Sequence, residues 1–351
     1  LLLVVIGVDV GYAQPFIEPG RADLRVALQQ LADDDVIEAP ISAWPISWQS
    51  IAGSVEAADS ASLSPATRAA LDRIRTELNF AEQSHRLLPH VRVGATNEPL
   101  SIRSFSSTPR EQGELEGGLS YTGDALSFKV NLTRAWDSTD DWRLDGSYFG
   151  FATKKWSFVA GYPERWWGPG IQGSLILSTN ARPLPQIGVQ RLSADGFERP
   201  WLRWLGPWTV TTFLGQFDDT RIVNDALLFG LRFTARPLPQ LEFAFSRAAQ
   251  LCGDGRSCSF DDFGNMLLGR DNRGTNVSAE AEPGNQLAGL DGRWSFRERP
   301  LAVYWQWIGE DSRQGGPQIG SWLRMIGTEF TGDVRASAWR HRTYIELADS
   351  T

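Results

Sequence analysis

The sequence predicts a mainly β chain: a transmembrane antiparallel outer-membrane β-barrel preceded by a small helical module. Three observations carry this. Beyond about residue 90 apolar side chains recur at every second position, the period of a strand. The segments between these stretches are mostly long and short in turn, as barrels with long outer loops and tight periplasmic turns require. Third, the chain holds 15 Trp, 18 Phe and 34 Gly among 351 residues, yet its mean hydropathy is only −0.27. Aromatic girdles at the two membrane interfaces are one place for so much tryptophan in so polar a chain.

The chain opens with an apolar run, LLLVVIGVDV, too short to span a bilayer as a helix, which needs roughly 20 residues. Gly11-Tyr12-Ala13 follows, with small residues where a signal peptidase reads. We therefore expect residues 1–13 to be the remnant of a signal peptide. Residues 14–88 are expected to form a periplasmic helical module. Leu24, Leu28 and Leu31 recur at helical spacing, as do Trp44, Trp48, Ile51 and Val55. Leu71, Ile74, Leu78 and Ala81 repeat the pattern behind Ser64-Pro65, an N-cap followed by proline at the first helical position.

Residues 89–351 are the expected barrel. In 114–121, Leu115, Gly117, Leu119 and Tyr121 alternate with Glu114, Glu116, Gly118 and Ser120. In 126–133, Leu126, Phe128, Val130 and Leu132 alternate with Ser127, Lys129, Asn131 and Thr133. The same pattern runs through 227–234, 241–246, 290–296 and 301–307, with Arg232 and Arg293 on the polar face. A soluble sandwich would alternate likewise, so the loops must decide. Connections 97–112, 162–185 and 250–285 are long, whereas 122–124, 153–154, 235–239, 297–299 and 332–333 are short; 194–207 breaks the alternation. Roughly 13 strands are expected by residue 351, an odd number where single-chain barrels close on an even one, so a C-terminal truncation is expected.

Cys252 and Cys258 lie in the Gly-rich segment CGDGRSC and are expected to form a small loop disulfide. The three histidines (His85, His90, His341) lie far from them, and neither a metal nor a cofactor is expected. A net charge of −8 argues against nucleic acid as a partner. The absence of G-x-S-x-G and H-E-x-x-H motifs gives no ground for catalysis. All but three of the 34 basic residues (Lys129, Lys154, Lys155) are arginine, which suits an acidic polymer, though base composition of the genome explains the bias as well. The pairs Asp140-Asp141, Asp218-Asp219 and Asp261-Asp262 are read as solvated loop tips.

The most distinctive stretch is YPERWWGPGIQGSLILSTNARP, 162–183. Through Trp167-Gly168-Pro169-Gly170, the run Ser174 to Pro183, the segments Leu24-Arg25 and Trp44-Pro45, and the terminal Tyr344-Ile345-Glu346-Leu347-Ala348-Asp349, the chain resembles the Wzi family of capsule-assembly outer-membrane proteins. That resemblance implies a barrel of about 18 strands in the full protein. It also implies a non-enzymatic surface lectin that attaches capsular or extracellular polysaccharide to the outer membrane, with lipopolysaccharide and lipid as its surroundings, and expected to be a monomer.

Trp166 and Trp167 offer faces that can stack on pyranose C–H surfaces, and Glu164, Arg165, Asn180 and Arg182 supply directional donors and acceptors. These six residues are the candidate polysaccharide contacts. The alternative is that Gly and Pro fold this loop inward and the tryptophans merely pack it. Two further readings stay open: a porin or sugar channel, and an outer-membrane hydrolase using His341.

Overall fold

In the computed structural model the described residues are 3–8, 15–83, 85–136, 141–218, 223–267, 285–297, 299–311, 319–334, 337 and 339–350. They build one large antiparallel sheet of 15 strands in which neighbours along the sheet are neighbours in sequence. From Leu87–Thr96 to Arg340–Ser350 thirteen strands follow one another by simple hairpins, and the short Trp142–Arg143 pairs beside Leu126–Trp136. Leu3–Val8, expected in the leader, runs antiparallel to Leu87–Thr96, with Leu3 opposite Thr96 and Val8 opposite Val91. The Gly11–Ala13 site lies outside the described residues, as do Asp140, Asp219, residues 268–284 of the 250–285 loop and most of 310–318.

Side-chain direction separates a membrane barrel from a sandwich. Leu119 is 46% exposed while its neighbour Ser120 is fully buried, and Leu290 is 55% exposed while Asp291 is 2%. Leu126, Val130 and Leu132 face out; Lys129, Asn131 and Thr133 are buried. The apolar face thus looks outward and the polar face inward, the reverse of a soluble sheet. A wall of this kind is stable only with lipid against it.

Three helices precede the wall: α1 (Ala22–Asp33), α2 (Trp48–Ala57) and α3 (Pro65–Ala81). The Ser64 hydroxyl accepts the Thr67 N–H, so the N-cap ahead of Pro65 closes as its sequence predicts. Trp44 departs from the expected helical stripe. Pro45 forces the residue before it into an extended conformation, so Ala43–Trp44 is a two-residue strand and the helix starts only at Trp48.

This module packs against the wall. It lies inside the curve of the sheet, in reach of strands from one end of it to the other. Lys129 pairs with Glu18, and Gln190 donates to the Pro45 carbonyl. Glu242 accepts the N–H groups of Ile41 and Ser42. Arg293 pairs with Asp33 and Arg340 with Asp34. At its centre Arg232 grips Asp291 through two bonds of 2.6 and 2.8 Å and also donates to Ser246 and Ser42. The acidic end of α1 faces the short hairpin turns, through Asp35–Arg297 and the bonds from Arg236 to the Ile37 and Ala32 carbonyls. The opposite, long-connection rim carries 97–112 and 162–185.

Candidate functional site at the long-connection rim

The segment 162–185 leaves the strand Trp156–Gly161, turns into the lumen and comes back to the strand Gln186–Arg191. Its inward limb is fixed at every residue. Trp166 and Trp167 pair antiparallel with Trp44 and Ala43 of the module. The Gly168 N–H donates to the Ser42 carbonyl at 3.0 Å, and Trp167 donates to Leu177 across the loop. Glycine is required at the turn. Gly168 has φ +138°, and a Cβ on Gly170 would lie 2.2 Å from the Gly173 carbonyl oxygen.

Three long-range ties hold the turn. Arg25 of α1 donates to the Pro169 and Gly170 carbonyls at 2.8 and 2.7 Å. Glu346, on the last strand, accepts the N–H groups of Ile171 and Gln172. Gln306 donates to Trp167 O and accepts from Leu175 N. The Trp167-Gly168-Pro169-Gly170 turn, Leu24-Arg25 and the Tyr344–Asp349 strand, far apart in sequence, therefore meet at one place.

Both tryptophans are fully buried. Trp166 sits edge-on to Phe105, with ring centres 5.4 Å apart, and joins the module's core; Trp167 packs on Phe213 at 5.7 Å. Neither indole offers a face to a sugar, which corrects the expectation that they stack on pyranose rings. The loop turns inward because its Gly-Pro-Gly turn and two large apolar side chains can all be satisfied there, against Trp44 and Phe105.

The returning limb and the entrance of the loop carry the polar candidates. Glu164 accepts from Arg110 at 3.0 Å. Asn180 accepts the Arg103 N–H through its side chain and one Arg110 guanidinium N–H through its carbonyl. Arg182, exposed, pairs with Asp145 at 3.1 Å. Arg103 also donates to Thr179 O, and burial pulls its guanidinium down to about 10. Beside them a cavity of about 280 Å³ opens, lined by the polar Glu164, Arg165, Arg182 and Gln186 and by the apolar Leu184, Phe213 and Phe217.

Glu164, Arg165 and Arg182 are thus brought together on this cavity; Asn180 borders it, and the tryptophans lie beneath. Sequence reasoning missed Arg103, Arg110 and Asp145, which come from other connections, and Phe213 on a strand. Two arginines within the serine-rich loop 97–112 were the available signal. Cys252 and Cys258 form a disulfide, with Cα atoms 4.7 Å apart. His341 lies on an outward position of the last strand, beside the Phe330 ring and over Gly332.

The family model for the capsule assembly protein Wzi matches residues 84–335. The chain belongs to the Wzi family. It is 32% identical over 339 residues to an uncharacterized 55.8 kDa protein of the cps region of Klebsiella pneumoniae, covering 93% of this chain and 64% of that protein. The chain thus spans under two thirds of that relative's length. Among solved structures it is similar to Wzi of Escherichia coli, described as an outer-membrane, carbohydrate-binding β-barrel involved in group 1 capsule assembly. The TM-score is 0.79 and the identity 25%, over 96% of this chain and 72% of the other. Like that Wzi barrel, this chain is an outer-membrane protein; in it α1–α3 precede the thirteen successive antiparallel strands.

Proposed function

We propose that this Wzi-family chain is a lectin that binds capsular polysaccharide at its long-connection rim, turned to the cell exterior, and holds the polymer at the surface without transforming it. A monomer set among lipopolysaccharide and phospholipid suffices for this. The observation that carries the reading is the cavity at that rim, whose lining combines polar Glu164, Arg182 and Gln186 with apolar Leu184 and Phe217. Sites for sugars combine a flat apolar wall with a few placed polar groups. Long connections belong outside in outer-membrane barrels, which supports a cavity turned to the exterior and an acidic end of α1 turned to the periplasm. Kinship with a carbohydrate-binding Wzi barrel supports the ligand class.

The test is the partition of capsular polysaccharide between cells and medium. Cells lacking the gene should shed polymer, and the wild-type gene should restore retention. Glu164→Gln with Arg182→Met should retain markedly less polymer while showing normal heat-modifiable gel mobility, the mark of a folded barrel. Full retention by that folded variant would remove the cavity from the account.

A further inference from the structure

Arg165 is the one candidate whose chemistry the fold leaves incomplete. Its side chain reaches back from the inward limb under the cavity, over the Phe213 ring at 4.6 Å. Gly188, on the adjoining strand, leaves it room: a Cβ there would come within 3.2 Å of Arg165 Nη2. Nε donates to the neutral Gln186 Oε1 at 2.8 Å, while Nη1 is buried with no hydrogen-bond acceptor. No carboxylate pairs with Arg165 among the described residues, and burial alone draws its guanidinium down to about 9.

Its neighbours are balanced differently. Glu164 is held by Arg110, and Arg182 by Asp145. Among the buried arginines of the wall, Arg232 has Asp291 and Arg293 has Asp33 and Glu329, while Arg191 and Arg236 each have backbone carbonyls as acceptors. A buried, unpaired charge is destabilising unless something neutralises it. Arg165 alone carries that cost beside a cavity large enough for one sugar residue.

We infer that Arg165 is the receptor for a carboxylate carried by a sugar ring, so that the cavity selects an acidic residue, a hexuronate or its like, within the polymer. This rests on the lectin reading and narrows it. The guanidinium would meet the carboxylate through a charge-assisted pair of hydrogen bonds, with the C–H face of the ring against the half-buried Leu184 and Phe217. Arg110 and Asp145 keep the rim neutral, so discrimination comes from Arg165 and not from a general positive field.

The purified barrel in detergent should be titrated with oligogalacturonate, with the same oligomer methyl-esterified, and with a neutral maltooligosaccharide of equal length. The acid should bind at least tenfold more tightly than its ester, and Arg165→Met should erase that difference. Equal affinity of acid and ester for the wild-type barrel overturns the inference whether or not Arg165→Met folds, and leaves the lectin reading standing if both still bind. An acid preference that survives in folded Arg165→Met also overturns it. Acetate or sulfate competing as well as the oligomer would show a bare anion site and count against a sugar-borne carboxylate. Failure of every oligomer to bind overturns the inference; capsule retention by cells then decides separately whether the lectin reading falls with it.

Discussion

Trp166 has no exposed surface, and its surroundings explain why a residue suited to sugar stacking is used for packing. Its indole N–H donates to the Gly170 carbonyl at 3.1 Å, its edge meets Phe105, and the Arg25 guanidinium lies 5.6 Å from its ring. Arg25 itself is 4.3 Å above Phe105, and burial draws it down to about 9. Trp166→Ala should therefore lower barrel stability by about 3–5 kcal/mol, the range for a buried aromatic truncated to alanine. Arg25→Met strands two loop carbonyls, each unsatisfied group costing about 1–3 kcal/mol. Because both substitutions strip the same contact, the double variant should lose less than the sum. Denaturant midpoints followed by heat-modifiable mobility would measure all three, and a Trp166→Ala barrel as stable as wild type would contradict the packing role. The composition of 162–183 was legible as special. Which way its tryptophans pointed was not, because Phe105 and Trp44 reach them only through tertiary contacts between distant segments.

At the scale of elements, the hairpins were legible and one helix was not. Strand alternation is a local property, so Leu126–Trp136 and Gln286–Phe296 could be read within a residue or two. The stretch after Cys252 was read as loop, yet Phe260–Leu267 is a helix, α4. Ser259 and Asp262 form a reciprocal cap at its start: Asp262 accepts the Ser259 N–H, and Ser259 accepts the Asp262 N–H. That pairing was the missed signal. α4 packs its Phe263 edge-on to Phe229 on the outer side of the wall, and Met266 joins Leu251 and Cys252 in a small core. The disulfide closes a short loop, worth about 2 kcal/mol at most in chain entropy, and it bears on this outlying core. Replacing Cys252 and Cys258 by serine should leave the melting of the wall unchanged but raise hydrogen exchange across Phe260–Leu267. Unchanged exchange there would mean that Phe263 and Met266 hold the helix without the bridge.

For the whole molecule, the decisive arrangement is a wall with its ionic face inward and a folded module in its centre. The inward positions were legible as a polar stripe; their partners were not, since Glu18, Asp33 and Ser42 lie in segments that show no sign of the wall. An open, charged lumen would suit a channel, but this lumen is crossed by Asp291–Arg232–Ser42, by Trp166–Trp44 and by Glu346 with Ile171. In planar bilayers the protein should show conductance well below that of an open porin, and Arg25→Met should raise it by loosening the turn; porin-sized currents from the wild type would contradict a filled lumen. The inward ionic face also bears on the order of synthesis. Arg232, Glu242, Arg293 and Arg340 all find acceptors or donors on chain that leaves the ribosome long before them. Each of these later strands thus brings an inward charge whose partner lies on the earlier chain, so wall and plug fit as lock and key, and neither is electrostatically complete alone.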